Sequence, residues 1–331
     1  MNRIKNIYSQ NRELYRLLLI MAVWLIFMAI TQSKKFYTGA NFLTIAGQFP
    51  EYGLMALGCM LCMITGGIDL STVGVANLTS ILSVFIMVRI FGEQGVMPTG
   101  FIVILFIIAG VTGAIAGAVN AFLISKINVP PILATLGVNE LLTGICIVLT
   151  GGSAVSTFPK QFSEYFSLNT FGWIPRRLII FILAAILIWI LLEKTTYGTK
   201  LRLFGTSSHV AMFSGIHTKA LLFKTYIISA ILSAFGGLMM LATYSSARAD
   251  YGTNYTMQAI LIVVLGGVSP NGGKGKISGV IAGIILLKLI ESGINRFKSV
   301  STYYVTLIWG AVLILALVID YMSARPKKVK A

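Results

Sequence analysis

The stretch GLMALGCMLCMITGGIDLSTVGVANLTSILSVFIM, residues 53–87, contains one charged side chain, that of Asp69. Gly53–Thr65 before it and Leu70–Met87 after it carry no charge. A membrane-spanning helix needs about 20 predominantly apolar residues. The stretch therefore predicts two spanning helices joined at a break, with Gly66 and Gly67 forming the turn.

The whole chain has the same character. Of its 331 residues 56% are hydrophobic and 11% are charged, and its mean hydropathy is +0.87. Soluble domains are about 45–50% apolar and about 25% charged. We therefore expect a polytopic membrane protein. The net charge of +16 comes mainly from bases at the termini and in short loops, a pattern typical of membrane flanks rather than of nucleic-acid binding.

The hydropathy pattern predicts an all-α protein with about ten transmembrane helices in a single domain, residues 1–331. The eighth span is too short to cross a bilayer alone, and it ends in the Gly-rich sequence GGVSPNGGKGK. The predicted spans are 14–32, 47–65, 71–91, 100–124, 132–150, 176–193, 220–244, 256–268, 277–295 and 302–321.

The Lys and Arg residues predict the orientation. With the N-terminus inside, sixteen of them fall on the inner side and nine on the outer side. This bias favours both termini in the cytoplasm and an even number of spans. Residues 151–175 then form an extracytoplasmic loop, and residues 193–219 form a cytoplasmic loop containing the short amphipathic sequence SSHVAMFSGI. We expect that sequence to dock on a cytoplasmic partner; a solvated connector is the alternative.

Two segments about 200 residues apart resemble each other. MITGGIDLSTVGVA and VVLGGVSPNGGKGKISGVIAG both run from an apolar helix through Gly-Gly and a polar turn to a second apolar helix. Paired broken helices in corresponding halves of a membrane protein indicate a transport pathway. The residues predicted to form these structural helix breaks are Gly66, Gly67, Asp69, Gly266, Gly267, Gly272 and Gly273.

Motifs that would supply chemistry or energy are missing. GGVSPNGGKGK fails as a phosphate-binding loop, because Val268 stands five residues before Gly273 and Gly275 follows Lys274. We predict no catalytic residues, no metal site and no bound cofactor. The ionisable groups in or near the spans are Asp69, Glu140, Lys288 and Glu291, and they make a poor proton relay. A passive pathway driven by another component fits these features.

Five motifs together resemble the membrane permease subunit of ribose-type ABC sugar importers, a family that includes xylose, galactose, inositol and autoinducer-2 permeases. They are GGIDLSTVGV, NVPPILATLG, YGTKLRLFGTSSHVAMFSGI, AILIVVLGGVSPNGGKGKISGVIAG and SVSTYYVTLIWGAVLILALVID. The resemblance implies a fold similar to that of vitamin B12-type importer permeases, in the bacterial cytoplasmic membrane. It also implies three partners: a second permease copy or a paralogue, cytoplasmic ATPase subunits that bind ATP and Mg, and an extracytoplasmic sugar-binding protein.

The same resemblance assigns residues to the ATPase-coupling loop, which is expected to press into a cleft of the ATPase. These residues are Gly205, Ser207, Ala211, Phe213, Ser214 and Gly215. The chain departs from the family pattern at Ser207, Val210 and Met212, and the acids usual before the eighth helix are replaced by Thr256 and Gln258. After GGIDLS, Thr72 is one extra residue. These departures leave the ATPase partner and the sugar open.

A neutral sugar needs hydroxyl partners rather than charge. Polar residues in or beside the spans are candidates for its pathway: Asn77, Thr79, Asn120, Asn139 and Gln258. The alternative for each is an interhelical hydrogen bond. For Asp69 we expect a structural role, in which its carboxylate accepts backbone N–H groups where the third span begins.

Competing functions also follow from the sequence. A stand-alone secondary carrier or channel would work without a partner ATPase, and a membrane enzyme is the remotest alternative. Within the importer class, a nucleoside or branched-chain amino-acid permease is a further alternative.

Overall fold

The computed structural model describes residues 12–170, 172–297, 304, 307–314 and 318. The described residues of the first half of the chain form seven helices in sequence. They are α1 (Arg12–Thr31), α2 (Ser33–Phe36), α3 (Gly39–Gln48), α4 (Pro50–Ile64), α5 (Thr72–Phe91), α6 (Phe101–Ser125) and α7 (Pro131–Thr150).

Between residues 161 and 294 the described chain adds seven helices and a small antiparallel ribbon, in which Asn169 pairs with Pro175. The elements are α8 (Gln161–Ser167), β1 (Asn169–Thr170), β2 (Ile174–Pro175), α9 (Arg176–Glu193), α10 (Thr196–Thr206), α11 (Ser208–Phe213), α12 (Thr218–Tyr244), α13 (Tyr255–Leu265) and α14 (Ile277–Ile294). Residues 307–314 are also helical.

Six of the described helices are long and apolar enough to cross a membrane, namely α1, α5, α6, α7, α12 and α14. Helix α9 makes a seventh if it is counted with α10, from which it is bent by 69°. Helices α4 and α13 are apolar but shorter, as the sequence predicted for α13. Half of the predicted tenth span, 302–321, lies outside the described residues.

Three expectations need correction. The predicted span 47–65 is interrupted at Phe49, because Pro50 lacks an N–H and begins a new helix. The segment 151–175 is more than a loop, since it contains α8 and the two strands. The segment 193–219 contains α10 as well as the predicted short helix, which is α11.

Helix α12 lies at the centre of the protein and packs against α4, α5 and α6. Small residues permit this contact. A Cβ atom built on Gly113 would lie 2.7 Å from the Ala230 carbonyl oxygen, and one built on Gly237 would lie 2.2 Å from that of Ala76. Burial of apolar surface gives helices no advantage in lipid, so their association depends on close packing, which small residues permit.

The outward faces of α6 and α9 are apolar. Their exposed side chains include Ile107 and Ile115 on α6 and Leu183 and Leu187 on α9. In a soluble protein such surfaces would promote aggregation. Here they are the surface expected to contact lipid, which confirms the multi-pass membrane character predicted from composition.

We predict that Gly117→Ala destabilises the protein, whereas Gly110→Ala on the same helix does not. A Cβ at Gly117 would lie 2.6 Å from the Ile227 Cα, but one at Gly110 meets nothing within 4 Å. Overpacking of this kind costs about 1–3 kcal/mol. Thermal unfolding of the detergent-purified proteins should show a lower midpoint for Gly117→Ala alone. Equal midpoints would contradict this account of the α6–α12 contact.

Candidate functional site

The carboxylate of Asp69 lies fully buried at the break between α4 and α5. Its Oδ1 accepts hydrogen bonds from the Ser71 N–H (3.0 Å) and the Ser71 hydroxyl (2.6 Å), and its Oδ2 accepts one from the Ser229 hydroxyl on α12 (2.7 Å). The Asn120 amide on α6 donates to the Ser71 hydroxyl oxygen at 2.7 Å. Asp69 therefore organises the turn before α5 and joins it to two neighbouring helices.

The two glycine-rich breaks have the same backbone geometry. Gly66 and Gly267 both have φ of +81°, in the left-handed region that favours glycine. The N–H of Gly67 bonds to the Cys62 carbonyl (3.2 Å), and that of Val268 bonds to the Val263 carbonyl (3.1 Å). Each break is thus a Schellman motif. The two segments correspond with Gly66 matched to Gly267, one residue later than the sequence comparison suggested.

The two breaks also touch each other. The Gly273 N–H, from the break after α13, donates to the Ile64 carbonyl at the end of α4, at 2.9 Å. This bond satisfies one of the carbonyl groups that a helix leaves unpaired in its last turn. Gly205, in the last turn of α10, packs against both, because a Cβ there would lie 1.8 Å from the Ile64 oxygen and 2.4 Å from the Gly273 nitrogen. We call Ile64, Gly66, Gly205, Gly272 and Gly273 the glycine junction.

The predicted coupling loop leads from this junction to an exposed apolar tip. The Ser207 hydroxyl accepts the Val210 N–H at 3.3 Å and begins α11. Ala211 is buried, whereas Phe213 is 85% exposed. Helix α11 ends in a third Schellman motif, with Gly215 at φ +75° and its N–H on the Met212 carbonyl.

Among the predicted pathway residues, three are buried and bonded to protein groups. The Asn77 amide donates to the Ala249 (2.8 Å) and Tyr251 (3.0 Å) carbonyls. Thr79 bonds to the carbonyl of Val75, one turn earlier in α5, and Asn120 bonds to Ser71 as described above. These contacts favour interhelical and intrahelical bonding over direct contact with a transported molecule.

The other two pathway candidates lie in different surroundings. The half-buried Asn139 accepts the Gly74 N–H at 3.0 Å. Gln258 is 8% exposed, and its Oε1 has no hydrogen-bond partner among the described residues. Two departures from the family pattern meet nearby, since the hydroxyl oxygens of Thr72 and Thr256 are 3.2 Å apart.

A buried polar cluster was not predicted from the sequence. Glu51, 2% exposed at the start of α4, accepts hydrogen bonds from the Thr243 hydroxyl and from the Tyr255 hydroxyl (2.9 Å), and Arg177 lies 3.9 Å away. These side chains come from α4, α12, α13 and α9. With the predicted orientation, all four helix ends lie on the outer side.

The only sequence signal for this cluster is weak. Glu51 follows Pro50 and precedes an uncharged run, so it resembles an ordinary acid in the first turn of a helix. Arg177 is more than a hundred residues away along the chain. In the orientation predicted from the sequence, Arg177 is one of the bases on the outer side. Only the fold brings it close to Glu51.

Residues 41–317 match the family described as branched-chain amino acid transport system / permease component. The chain belongs to this permease family. The resemblance inferred from the five sequence motifs is thereby confirmed at the level of the permease. No solved structure matches the chain significantly.

Several similar relatives are named as import permeases. The galactose/methyl galactoside import permease protein of Haemophilus influenzae is 31% identical, over 99% of this chain and 98% of its own length. The ribose import permease protein of Escherichia coli K12 is 31% identical, over 91% and 92%. The autoinducer 2 import system permease protein LsrD of Photorhabdus luminescens is 30% identical, over 80% and 78%.

We predict that Asp69→Asn preserves the folded permease, whereas Asp69→Leu does not. Asparagine keeps an oxygen for the two Ser71 donors, and the Ser229 hydroxyl can rotate to accept its amide. Leucine leaves three buried donors unpaired, at a cost of about 1–3 kcal/mol each. The measurement is the yield of monodisperse protein and its thermal midpoint. If Asp69→Asn assembles normally but abolishes transport, Asp69 has a direct role in transport and the structural account is wrong.

Proposed function

We propose that this permease is the membrane subunit of an ATP-binding cassette importer that moves a monosaccharide or a related polyol-like solute into the cell. The observation that carries the proposal is the glycine junction, where the end of α10 packs on both helix breaks at once. A movement of the cytoplasmic loop would reach the two broken helices through backbone contact, without intervening flexible side chains. The names of the relatives support the sugar as the class of substrate.

The energy would come from separate ATPase subunits that bind ATP and Mg. The exposed side chains of α11 supply their docking surface, because Val210, Met212 and Phe213 are all more than half exposed at the tip of the loop. When two ATPase subunits close on ATP, they would move α11 of this chain and the corresponding helix of a second permease subunit. Transport then requires only two packed states that differ in their contacts with the partners.

The complete importer would contain a second permease copy or a paralogue and an extracytoplasmic binding protein that delivers the sugar. Each permease would have about ten spans in a fold similar to that of vitamin B12-type importers. Both termini would lie in the cytoplasm, and the protein would reside in the bacterial cytoplasmic membrane. In this orientation α11 and the glycine junction are on the inner side, and the Glu51 cluster is on the outer side.

The family description names branched-chain amino acids, which makes such a substrate the alternative within the class. An amino acid carries both an ammonium and a carboxylate, and a membrane site must neutralise them. Near the breaks, the buried carboxylate of Asp69 is already occupied by three protein donors. Asp69 is therefore not available to bind an ammonium group, and the names of the relatives favour a sugar.

The proposal is tested by uptake into proteoliposomes, with labelled ribose, galactose and leucine as the solutes. The permease is reconstituted alone, and together with its partner ATPase and binding-protein subunits. We expect ATP-dependent uptake of a sugar by the complete complex and none by the permease alone. Gradient-driven uptake by the permease alone would establish a secondary carrier or channel instead. Uptake of leucine in place of a sugar would establish the amino-acid alternative.

We predict that Phe213→Ala leaves the permease folded but weakens its association with the ATPase. The Phe213 side chain is 85% exposed, so the fold loses little when it is removed, whereas buried aromatic anchors dominate the energy of interfaces. The matched control is Leu183→Ala, which removes another exposed apolar side chain, from α9. Co-purification and ATP-driven uptake should fall severalfold for Phe213→Ala alone. Normal association of Phe213→Ala would contradict docking through α11.

A further inference from the structure

Helix α7 carries an acidic residue on its outward surface, near the middle of the span. Glu140 is exposed and lies about halfway along the 20-residue helix Pro131–Thr150. It borders a groove of about 490 Å³. The groove is lined by Glu140, Leu141, Gly144, Ile145, Val148 and Leu149.

This surface is a poor match for lipid. An ionised acid at the centre of a bilayer costs about 2.5–3.5 kcal/mol on insertion scales, and such groups almost always face the protein interior or a water-filled cavity. Within the described part of the chain, the one hydrogen bond to Glu140 comes from the neighbouring Asn139 amide, at 3.3 Å. By contrast, Ile107 and Ile115 on α6 and Leu183 on α9 present only hydrocarbon.

The same helix is attached to the break between α4 and α5. The Thr135 hydroxyl accepts the Leu70 N–H at 3.0 Å and lies 3.1 Å from the Ile68 carbonyl oxygen. One turn further along α7, Asn139 accepts the Gly74 N–H at 3.0 Å. Glu140 is the next residue, about 100° further round the helix, so the acidic surface lies beside the face of α7 that packs on α5. Helix α5 follows one of the two breaks, the feature that indicates a transport pathway.

The backbone of α7 is also open on this side. A Cβ atom built on Gly137 or Gly144 would meet nothing within 4 Å. The two glycines are two helical turns apart and flank Glu140, so they lie on the same side of the helix. A small molecule can therefore approach the helix backbone closely beside the carboxylate.

We infer that this surface of α7, residues 137–148, lines the sugar pathway and that the Glu140 carboxylate accepts hydrogen bonds from sugar hydroxyl groups. The inference rests on the proposed function and names a residue that contacts its substrate. Leu141, Ile145 and Val148 form the rest of the wall. Because they offer no hydrogen bonds, a sugar held by one carboxylate can also be released.

Water access to Glu140 is tested by thiol labelling. Glu140→Cys and the lipid-facing control Leu183→Cys are made in a background in which Cys59, Cys62 and Cys146 are replaced by alanine. A membrane-impermeant charged thiol reagent is applied to the reconstituted complex, after monodispersity has been checked. We expect Glu140→Cys to react roughly tenfold faster or more, because the reactive thiolate forms only in contact with water. Equally slow labelling at both positions would overturn the inference.

Sugar contact is tested separately with Glu140→Gln, and Glu164→Gln is the control because Glu164 is exposed on α8, outside the candidate spans. We expect Glu140→Gln to raise the sugar concentration for half-maximal uptake severalfold, while Glu164→Gln leaves that concentration as in the wild type. Unchanged sugar dependence would overturn the contact, even with rapid labelling. If the wild-type complex transports none of the solutes, the proposed function fails, whereas the labelling still shows whether water reaches Glu140.

Discussion

The constraint on which the rest of the structure depends is the need to satisfy backbone groups where a helix ends inside a membrane protein. A bilayer offers no water for such groups, so broken helices occur only where protein or a hydrated cavity covers them. Helices α4 and α13 end early, and each closes its last turn with a Schellman motif. The bond from the Gly273 N–H to the Ile64 carbonyl then holds the two breaks in direct contact.

This constraint explains why glycine and small polar residues concentrate at the breaks. The junction brings three backbones so close that Gly205 has no room for a Cβ atom. The Asp69 carboxylate accepts hydrogen bonds from the polar donors before α5. Its two hydroxyl partners, Ser71 and Ser229, extend this hydrogen-bond network to α6 and α12. The inner loop, the two breaks and the central helix are thus connected by short contacts.

Helices α4 and α13 are also joined at their other ends, where the Tyr255 hydroxyl bonds to the buried Glu51. The two short helices are therefore linked at both ends, by a backbone bond at the breaks and by a carboxylate at their N-termini. Alternating access requires packed units that keep their internal contacts while they move relative to others. In the proposed mechanism this pair would move as one such unit, and Gly205 of α10 packs against both breaks.

The sequence alone determined where most of the helices lie. Predominantly apolar runs of about 20 residues predicted 71–91 and 132–150, close to the observed α5 and α7, because lipid selects on composition and length. It also located the glycine-rich breaks. Only the tertiary structure decided which groups meet: Glu51 with Arg177 and Asp69 with Ser229 through polar side chains, and Gly205 with Ile64 through close backbone packing. Hydropathy reports on the surroundings of each residue, whereas these contacts depend on how helices far apart in the chain pack together.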